Sequence, residues 1–239
     1  MAKLNEQEIQ GILDTKGFAC LNIEMYKNLE SVLQFKCKNG HSIEASMRTI
    51  RNAHFKCPEC EGKISVSTLL SNSEIAEKNG YRVVAIDNAT ANVGISVFDD
   101  DKLIYYHLYH YEGDTIARMV NNRRFIEEVI IAQWQPDLIV VEDIQYQNNV
   151  MTFKTLAMLL GSSLVSCAAK EVKTEVVMSK VWRAHFMLNG KGRIEEKKQA
   201  IEKVKLMYGL TVNDDVAEAI LLGKYAVDTL KINKVKKLF

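Results

Sequence analysis

Four carboxylates stand where a metal-dependent hydrolase needs them. Asp87 closes the apolar run Arg82-Val-Val-Ala-Ile86, and Glu142 closes Leu138-Ile-Val-Val141. Short uninterrupted apolar runs read as buried central strands, and open α/β sheets carry their sites just beyond the strands' carboxyl ends. The stretch Asp214-Asp215-Val-Ala-Glu218 opens the last helical segment. Residues three or four apart share a helix face, so Glu218 can face the sheet with Asp215 or with Asp214, but hardly with both equally. Carboxylates gathered this way repel one another unless cations sit between them. Hard oxygen ligands suit Mg²⁺ or Mn²⁺. Two such ions, roughly 3.5–4 Å apart, activate water and stabilise the leaving oxygen in phosphodiester hydrolysis. Taken singly, Asp after a strand is a turn residue and Asp at a helix start is a cap. Together, in this order, the four point to a nuclease. Asp99-Asp100-Asp101 reads as a charged turn.

A second ligand set lies upstream. Cys37-Lys-Asn-Gly-His41 and Cys57-Pro-Glu-Cys60 are two short knuckles with turn residues, Gly40 and Pro58, inside them. Such a pair supplies four corners of a tetrahedral zinc site. The pattern from Phe35 to Cys60 resembles the zinc-ribbon-like modules attached to phage and bacterial nucleases. That resemblance implies a closed, structural Zn²⁺ site on Cys37, His41, Cys57 and Cys60. Cys20 is the alternative fourth ligand, but it sits far upstream in the alternating run Phe18–Ile23 and reads as a strand-buried thiol. Cys167 reads as helix core. Five cysteines, an odd number, argue against a disulfide framework. Lys36, Lys38, Arg48, Arg51 and Lys56 cluster around the knuckles, read equally well as a solvated face or as a phosphate-contacting one.

The elements that must position these residues follow from the pattern. A helix is expected over residues 5–14, then strands over 18–23 and 31–35. So small a region has little core of its own, so metal is expected to supply much of its folding energy. The serine-rich stretch 65–73 and a short capped helix at 73–78 mark a boundary. This gives a zinc-binding module over 1–62, a linker over 63–80 and an α/β domain over 81–239. Strands at 82–86, 93–98 and 103–109, joined by short turns, form an antiparallel meander. A helix follows at 114–134, the Glu142 strand at 136–142, a long helix at 150–170 and a short strand at 175–178. Helical segments close the chain at 181–188, 194–207 and 214–230. The 239 residues, 47% hydrophobic and 26% charged, fit a globular protein. A net charge of +1 confines any DNA-binding surface to local patches. The sequence shows no secretory signal and no apolar run approaching a membrane span, so an intracellular, cytoplasmic protein is expected.

Ala85-Ile-Asp87 with Gly94-Ile-Ser-Val, then Pro136-Asp-Leu-Ile-Val-Val-Glu142, then Asp215-Val-Ala-Glu218-Ala resemble the RuvC-type Holliday-junction resolvases of the RNase H-like superfamily. The segment from Val181-Trp-Arg to Gly192-Arg-Ile-Glu-Glu-Lys-Lys198 is similar to that family's connection before its last helices. The match runs in order from about Tyr81 to Leu230. It implies an RNase H-like mixed five-stranded sheet flanked by helices. It makes Asp87, Glu142, Asp215 and Glu218 the catalytic, metal-binding set for two Mg²⁺ or Mn²⁺ ions, with Glu218 standing where the family usually has Asp. It leaves Asp214 outside, with a capping role at the helix start. The zinc module, foreign to cellular resolvases, suggests a phage or mobile-element version in a bacterial host.

The implied activity is endonucleolytic hydrolysis of four-way or other branched DNA. Flap, fork or RNA–DNA hybrid cleavage and a non-catalytic DNA-binding scaffold are the alternatives. Gln145 and Tyr146, in a polar loop after Glu142, and Lys191, Arg193, Lys197 and Lys198 are the DNA-contact candidates; the lysine-rich tail (Lys231, Lys234, Lys236, Lys237) is a further basic region. The helix Thr152–Ala169 is apolar on most sides and carries Gly161, Ser162 and Ser163. The resemblance makes part of it the surface of a two-fold homodimer.

Overall fold

The computed structural model describes residues 4–52, 55–57, 60, 64–65, 76–145 and 149–229. The expected helix at 73–78 lies partly outside these, and residues 76–78 form no regular structure.

The N-terminal unit begins with α1 (Glu6–Lys16). Asn5 accepts from the Glu8 N–H (2.9 Å) while the Glu8 carboxylate takes the Asn5 N–H (2.8 Å), so two orphan donors are satisfied reciprocally. The helix stops at Gly17, whose φ of 69° is left-handed. Strands β1 (Phe18–Cys20), β2 (Val32–Cys37) and β3 (Ser42–Ser46) form an antiparallel sheet in that order. The expected first strand is shorter, because Ile23–Met25 coil into a 3-10 turn. Strand β3 and the single-turn helix α2 (Met47–Ile50) were not anticipated. Leu33, Phe35, Met47 and Ile50 are fully buried in an apolar cluster that also contains Cys37 and Cys57.

The second unit is built on a six-stranded sheet of order β4-β7-β6-β5-β8-β9. The five long members are β5 (Arg82–Asn88), β6 (Asn92–Asp99), β7 (Lys102–His110), β8 (Leu138–Glu142) and β9 (Thr174–Val177). The sixth, β4 (Ile64–Ser65), pairs parallel with β7 and lies inside the stretch expected as linker. Strands β5, β6 and β7 are the antiparallel meander; β8 and β9 add in parallel beside β5.

Helices cover both faces. Helix α3 runs Thr115–Arg124, widens into a π-helical stretch at Phe125–Ile131 and ends at Ala132–Trp134. With α4 (Val150–Ala169) it packs on the face formed by Val84, Ile86, Ile95 and Val97. Helices α5 (Ser179–His185), α6 (Arg193–Tyr208) and α7 (Asp214–Thr229) pack on the face of Val83, Ala85, Phe98, Leu138 and Val140. Side chains alternate along a strand. Asp87 therefore continues the face of Val83 and Ala85, and Glu142 that of Leu138 and Val140, so both turn toward α7.

Helix α7 lies unusually close to the sheet. A Cβ on Gly94, which pairs with Asp87 across β5–β6, would come within 2.4 Å of the Asp215 carbonyl. One on Gly223 would strike Phe98 and Ser96 at 2.6 Å. Ser96 also donates to the Ala219 carbonyl (2.7 Å). On the other face, buried Asn122 donates to Leu159 O (3.2 Å) and Ser163 Oγ (3.0 Å) and accepts from Tyr111 (2.7 Å), tying α3 to α4. Arg82, fully buried, makes a two-pronged pair with Asp99 (2.6 and 2.7 Å) and donates to the carbonyls of Ala76, Glu77 and Trp134.

One expectation is corrected here. Among the described residues α4 is long and apolar enough, by length and composition, to cross a bilayer. Gly161, Ser162, Ser163 and Ser166 interrupt its apolar runs. Its inner side is docked on the sheet through Leu159 and Cys167. Met151 (69% exposed), Met158 (43%) and Val165 (70%) lie outward, at a seven-residue spacing that puts them on one stripe.

Candidate active site

The carboxyl ends of β5 and β8 and the first turns of α7 meet at one edge of the sheet. Carboxylate oxygens of Asp87, Asp215 and Glu218 all lie within 4.8 Å of one another. Asp87 and Glu218 are buried. Glu142 stands beside Asp87, and its Oε1 accepts from Trp182 Nε1 at 3.2 Å. Burial pushes Asp87 well above the usual carboxylate range, and the charges of Glu142, Glu218 and Asp215 push it further. Glu218 is raised by burial and by Glu142, against the pull of Arg183 and Lys197.

Two cations brace this cluster. Arg183 donates to Glu218 and to Glu196 (3.2 Å), with its guanidinium 5.0 Å from the centre of the Trp182 ring. Lys197 donates to Asp214 and, at 3.2 Å, to Asp215; Glu218 is 3.8 Å away. Burial works against the charge on Lys197, but these carboxylates outweigh it and hold its pKa above the ordinary lysine value. A cleft of about 280 Å³ opens over Asp87 and Glu142 and is lined also by Asn88, Gln145, Arg183 and Arg193.

The donor set fits a hard divalent cation. All the ligand atoms are carboxylate oxygens, close enough to share an ion. The unrelieved repulsion and burial at Asp87 are what a cation would remove.

No family model matches the chain. It is 25% identical over 149 residues to the crossover junction endodeoxyribonuclease RuvC of Fusobacterium nucleatum, covering 59% of this chain and 77% of that protein. Among solved structures, Thermus thermophilus RuvC in complex with a Holliday junction substrate superposes with a TM-score of 0.52 at 14% identity, covering 63% of this chain and 95% of that one. A second Thermus thermophilus RuvC structure superposes with a TM-score of 0.52 at 16% identity, covering 64% of this chain and 96% of that one. The chain carries the RuvC fold.

Within the RuvC-like unit, the expected DNA contacts separate. Gln145 borders the cleft and donates to Ser179 Oγ. Tyr146 and the lysine-rich tail lie outside the described residues. Arg193 lines the cleft, and Lys191 and Lys198 are exposed. Lys197 instead sits among the carboxylates. Asp214 pairs with Lys197, not with the three mutually close carboxylates, and the cap expected of it comes from Asn213, whose Oδ1 accepts from Val216 N–H (2.9 Å). Sequence reasoning missed the roles of Trp182, Arg183 and Glu196. The Trp-Arg pair just after a strand was the available signal, but a lone arginine on a short helix reads first as a solvated side chain.

The N-terminal unit gathers a second donor set. Cys37, His41, Cys57 and Cys60 bring one ligand atom each within 4.8 Å of one another. Cys37 Sγ is 3.6 Å from Cys60 Sγ and from His41 Nδ1; His41 Nδ1 is 3.3 Å from Cys60 Sγ and 3.8 Å from Cys57 Sγ. Zinc–ligand bonds of about 2.0–2.3 Å in a tetrahedron require edges of about 3.3–3.8 Å, so these four fit. Burial acts to raise Cys37, but backbone N–H groups of Asn39 and His41 and the thiols of Cys60 and Cys57 bring it down to about 7. Burial raises Cys57 to about 12. Cys20 stands apart, its thiol directed at Asn22 (3.9 Å). Cys167 is buried in α4.

Proposed function

We propose that this protein is a divalent-metal-dependent endonuclease that resolves Holliday junctions or closely related branched DNA. One observation carries the reading: Asp87, Asp215 and Glu218, with Glu142 beside them, converge at the carboxyl edge of a RuvC fold. The relatives support the substrate class, one named a crossover junction endodeoxyribonuclease and one solved with a Holliday junction substrate.

Asp87, Glu142, Asp215 and Glu218 hold the Mg²⁺ or Mn²⁺ ions. Bound there, such ions would supply water activation and stabilisation of the leaving oxygen. The chain's own residues prepare that chemistry. Trp182 fixes one oxygen of Glu142, leaving the other for a ligand. Arg183 and Lys197 offset the acidic charge and orient Glu218 and Asp215. Arg193, Lys191 and Lys198 meet phosphates, and Gln145 and Tyr146 contact nucleotides near the scissile bond. The stripe Met151, Met158 and Val165 on α4 joins two copies about a two-fold axis, so that each of two strands meets one site. Cys37, His41, Cys57 and Cys60 hold one structural Zn²⁺. The setting is the cytoplasm, as a phage-encoded enzyme in a bacterial host.

The test is a panel of four-way, flap, duplex and RNA–DNA hybrid substrates with Mg²⁺ and with chelator. Mg²⁺-dependent cutting that favours the four-way junction is expected. Preference for flap or hybrid would change the substrate, and no cutting of any substrate would overturn the nuclease reading.

A further inference from the structure

The active site gives the N-terminal unit no task, yet the charge on that unit is gathered at one place. Four cationic side chains surround the joint between α1 and β1. The Lys38 N–H donates to the Gly17 carbonyl (3.0 Å), and its stem passes over that glycine, Cδ lying 3.8 Å from where a Cβ would be. Lys16 precedes Gly17 and donates to the Asn52 carbonyl (2.6 Å), which brings Arg51 alongside; Lys16 and Arg51 line one groove. Lys56 follows Phe55, whose ring packs 5.9 Å from that of Phe18.

Local needs do not consume the charge of Lys38, Arg51 and Lys56. Three thiolates and a histidine around Zn²⁺ leave one net negative charge, and the α1 carboxyl end is worth about half of one. The nearby acids have other work: Glu8 caps α1, and Asp14 accepts from the Gln10 amide (2.8 Å). Lys38, Arg51 and Lys56 are exposed, and among the described residues none forms an ion pair. Arg48, by contrast, is paired with Glu30 at 2.5 Å.

We infer that this rim of Lys16, Lys38, Arg51 and Lys56 is a second DNA contact, gripping the phosphate backbone of a duplex arm without reading its sequence. The inference rests on the nuclease reading for the identity of the polyanion. Lysine and arginine at a surface with no base-reading helix suit backbone contact, which positions the duplex and carries no sequence information. Each phosphate neutralised releases counterions and steepens the salt dependence of binding by about 0.9 in log–log slope.

The experiment uses the full chain and the triple variant K38Q/R51Q/K56Q, leaving Lys16 to hold Asn52. Binding to a labelled four-way junction and to a plain duplex is measured without divalent metal across a salt series. Zinc content is measured in parallel, and cleavage is followed in a single turnover at saturating protein. The triple variant is expected to lose about 2–3 units of slope on both DNAs, with zinc retained and single-turnover cleavage unchanged. The charge-keeping K38R/R51K/K56R keeps the wild-type slope. If the triple variant loses its zinc, the single variants decide, each expected to lose about 0.9. An unchanged slope in zinc-loaded variants overturns the rim. A protein that cuts junctions with a rim-independent slope fails this inference alone. One that binds through the rim and never cuts fails the nuclease reading alone, and one that binds no DNA fails both.

Discussion

The carboxylate cluster and the thiolate cluster each crowd anionic donors within 4.8 Å, yet the chain builds them at opposite ranges. The thiolate site is made of two knuckles, one of them the turn between β2 and β3, and needs only a small sheet to hold it. The carboxylate site draws Asp87, Glu142, Asp215 and Glu218 from β5, β8 and α7, and nothing local brings them together. Two cationic side chains, Arg183 and Lys197, are folded into the acidic site, whereas the cations near the thiolates stay on the surface. A donor set spaced in sequence is held by its turns; one spread along the chain is held by the sheet and its packed helix.

The largest contrast is expected on cutting one carboxylate. Asp87→Asn should lower cleavage by about three orders of magnitude or more while junction binding persists, since it removes a ligand without disturbing the sheet. Near-wild-type turnover in Mg²⁺ would remove Asp87 from the metal set.

Next comes the frame that supports only the second unit. Arg82→Leu strands the buried Asp99 charge and frees three carbonyls, a loss expected near 3–5 kcal/mol. The pair also sets an acid limit. Hydrogen bonds from Arg82, chief among the causes, hold Asp99 below the usual carboxylate range, against burial. A carboxyl group lowered in the folded state stabilises above its unfolded pKa, and that stability is lost as pH falls through the folded value. Urea unfolding at pH 7 and near pH 3 checks both: the wild type should weaken with acid more steeply than the variant, and equal slopes would show the pair to be idle.

Cys57→Ser should release the bound zinc and loosen the first unit while the second keeps its own melting transition, because the two cores are separate clusters. Elemental analysis with calorimetry reads this. Zinc-free wild-type protein with freely reactive thiols would end the thiolate half of the comparison.

The smallest effect separates neighbours. Asp215→Asn should abolish cleavage, whereas Asp214→Asn, losing one half-exposed contact to Lys197, should cost about 1 kcal/mol or less. Rates at saturating Mg²⁺ for both variants, with their stabilities, test it; a dead Asp214→Asn beside an active Asp215→Asn would reverse the pair.

The legible parts of this molecule were those whose signal is local. Apolar runs ending in Asp87 and Glu142 announced two central strands and their acidic ends. Knuckle spacing announced the thiolate site. Spacing alone left Asp214 and Asp215 open, because the choice is made by how α7 docks against Gly94 and Ser96. Arg183 and Lys197 were hidden for a similar reason, since helix arginines and lysines are solvated unless tertiary packing encloses them. The span-like length of α4 was obscured by its glycine and serines: Gly161 is exposed, Ser162 donates to the Met119 carbonyl, and Ser163 meets the buried Asn122. Strand β3 carried a polar–apolar alternation, Ser42-Ile-Glu-Ala-Ser46, too short to stand out beside the knuckle.

The close docking of α7 also governs when the enzyme comes into being. Asp87 leaves the ribosome long before Glu218, and at about 5–20 residues per second the gap is roughly ten seconds. Throughout that time the nascent chain holds strand-end carboxylates but no helix to complete their ligand set. On the proposed function, a polypeptide released early would therefore be harmless, and cutting power would arrive only with nearly the whole of the described chain made and its last helix seated.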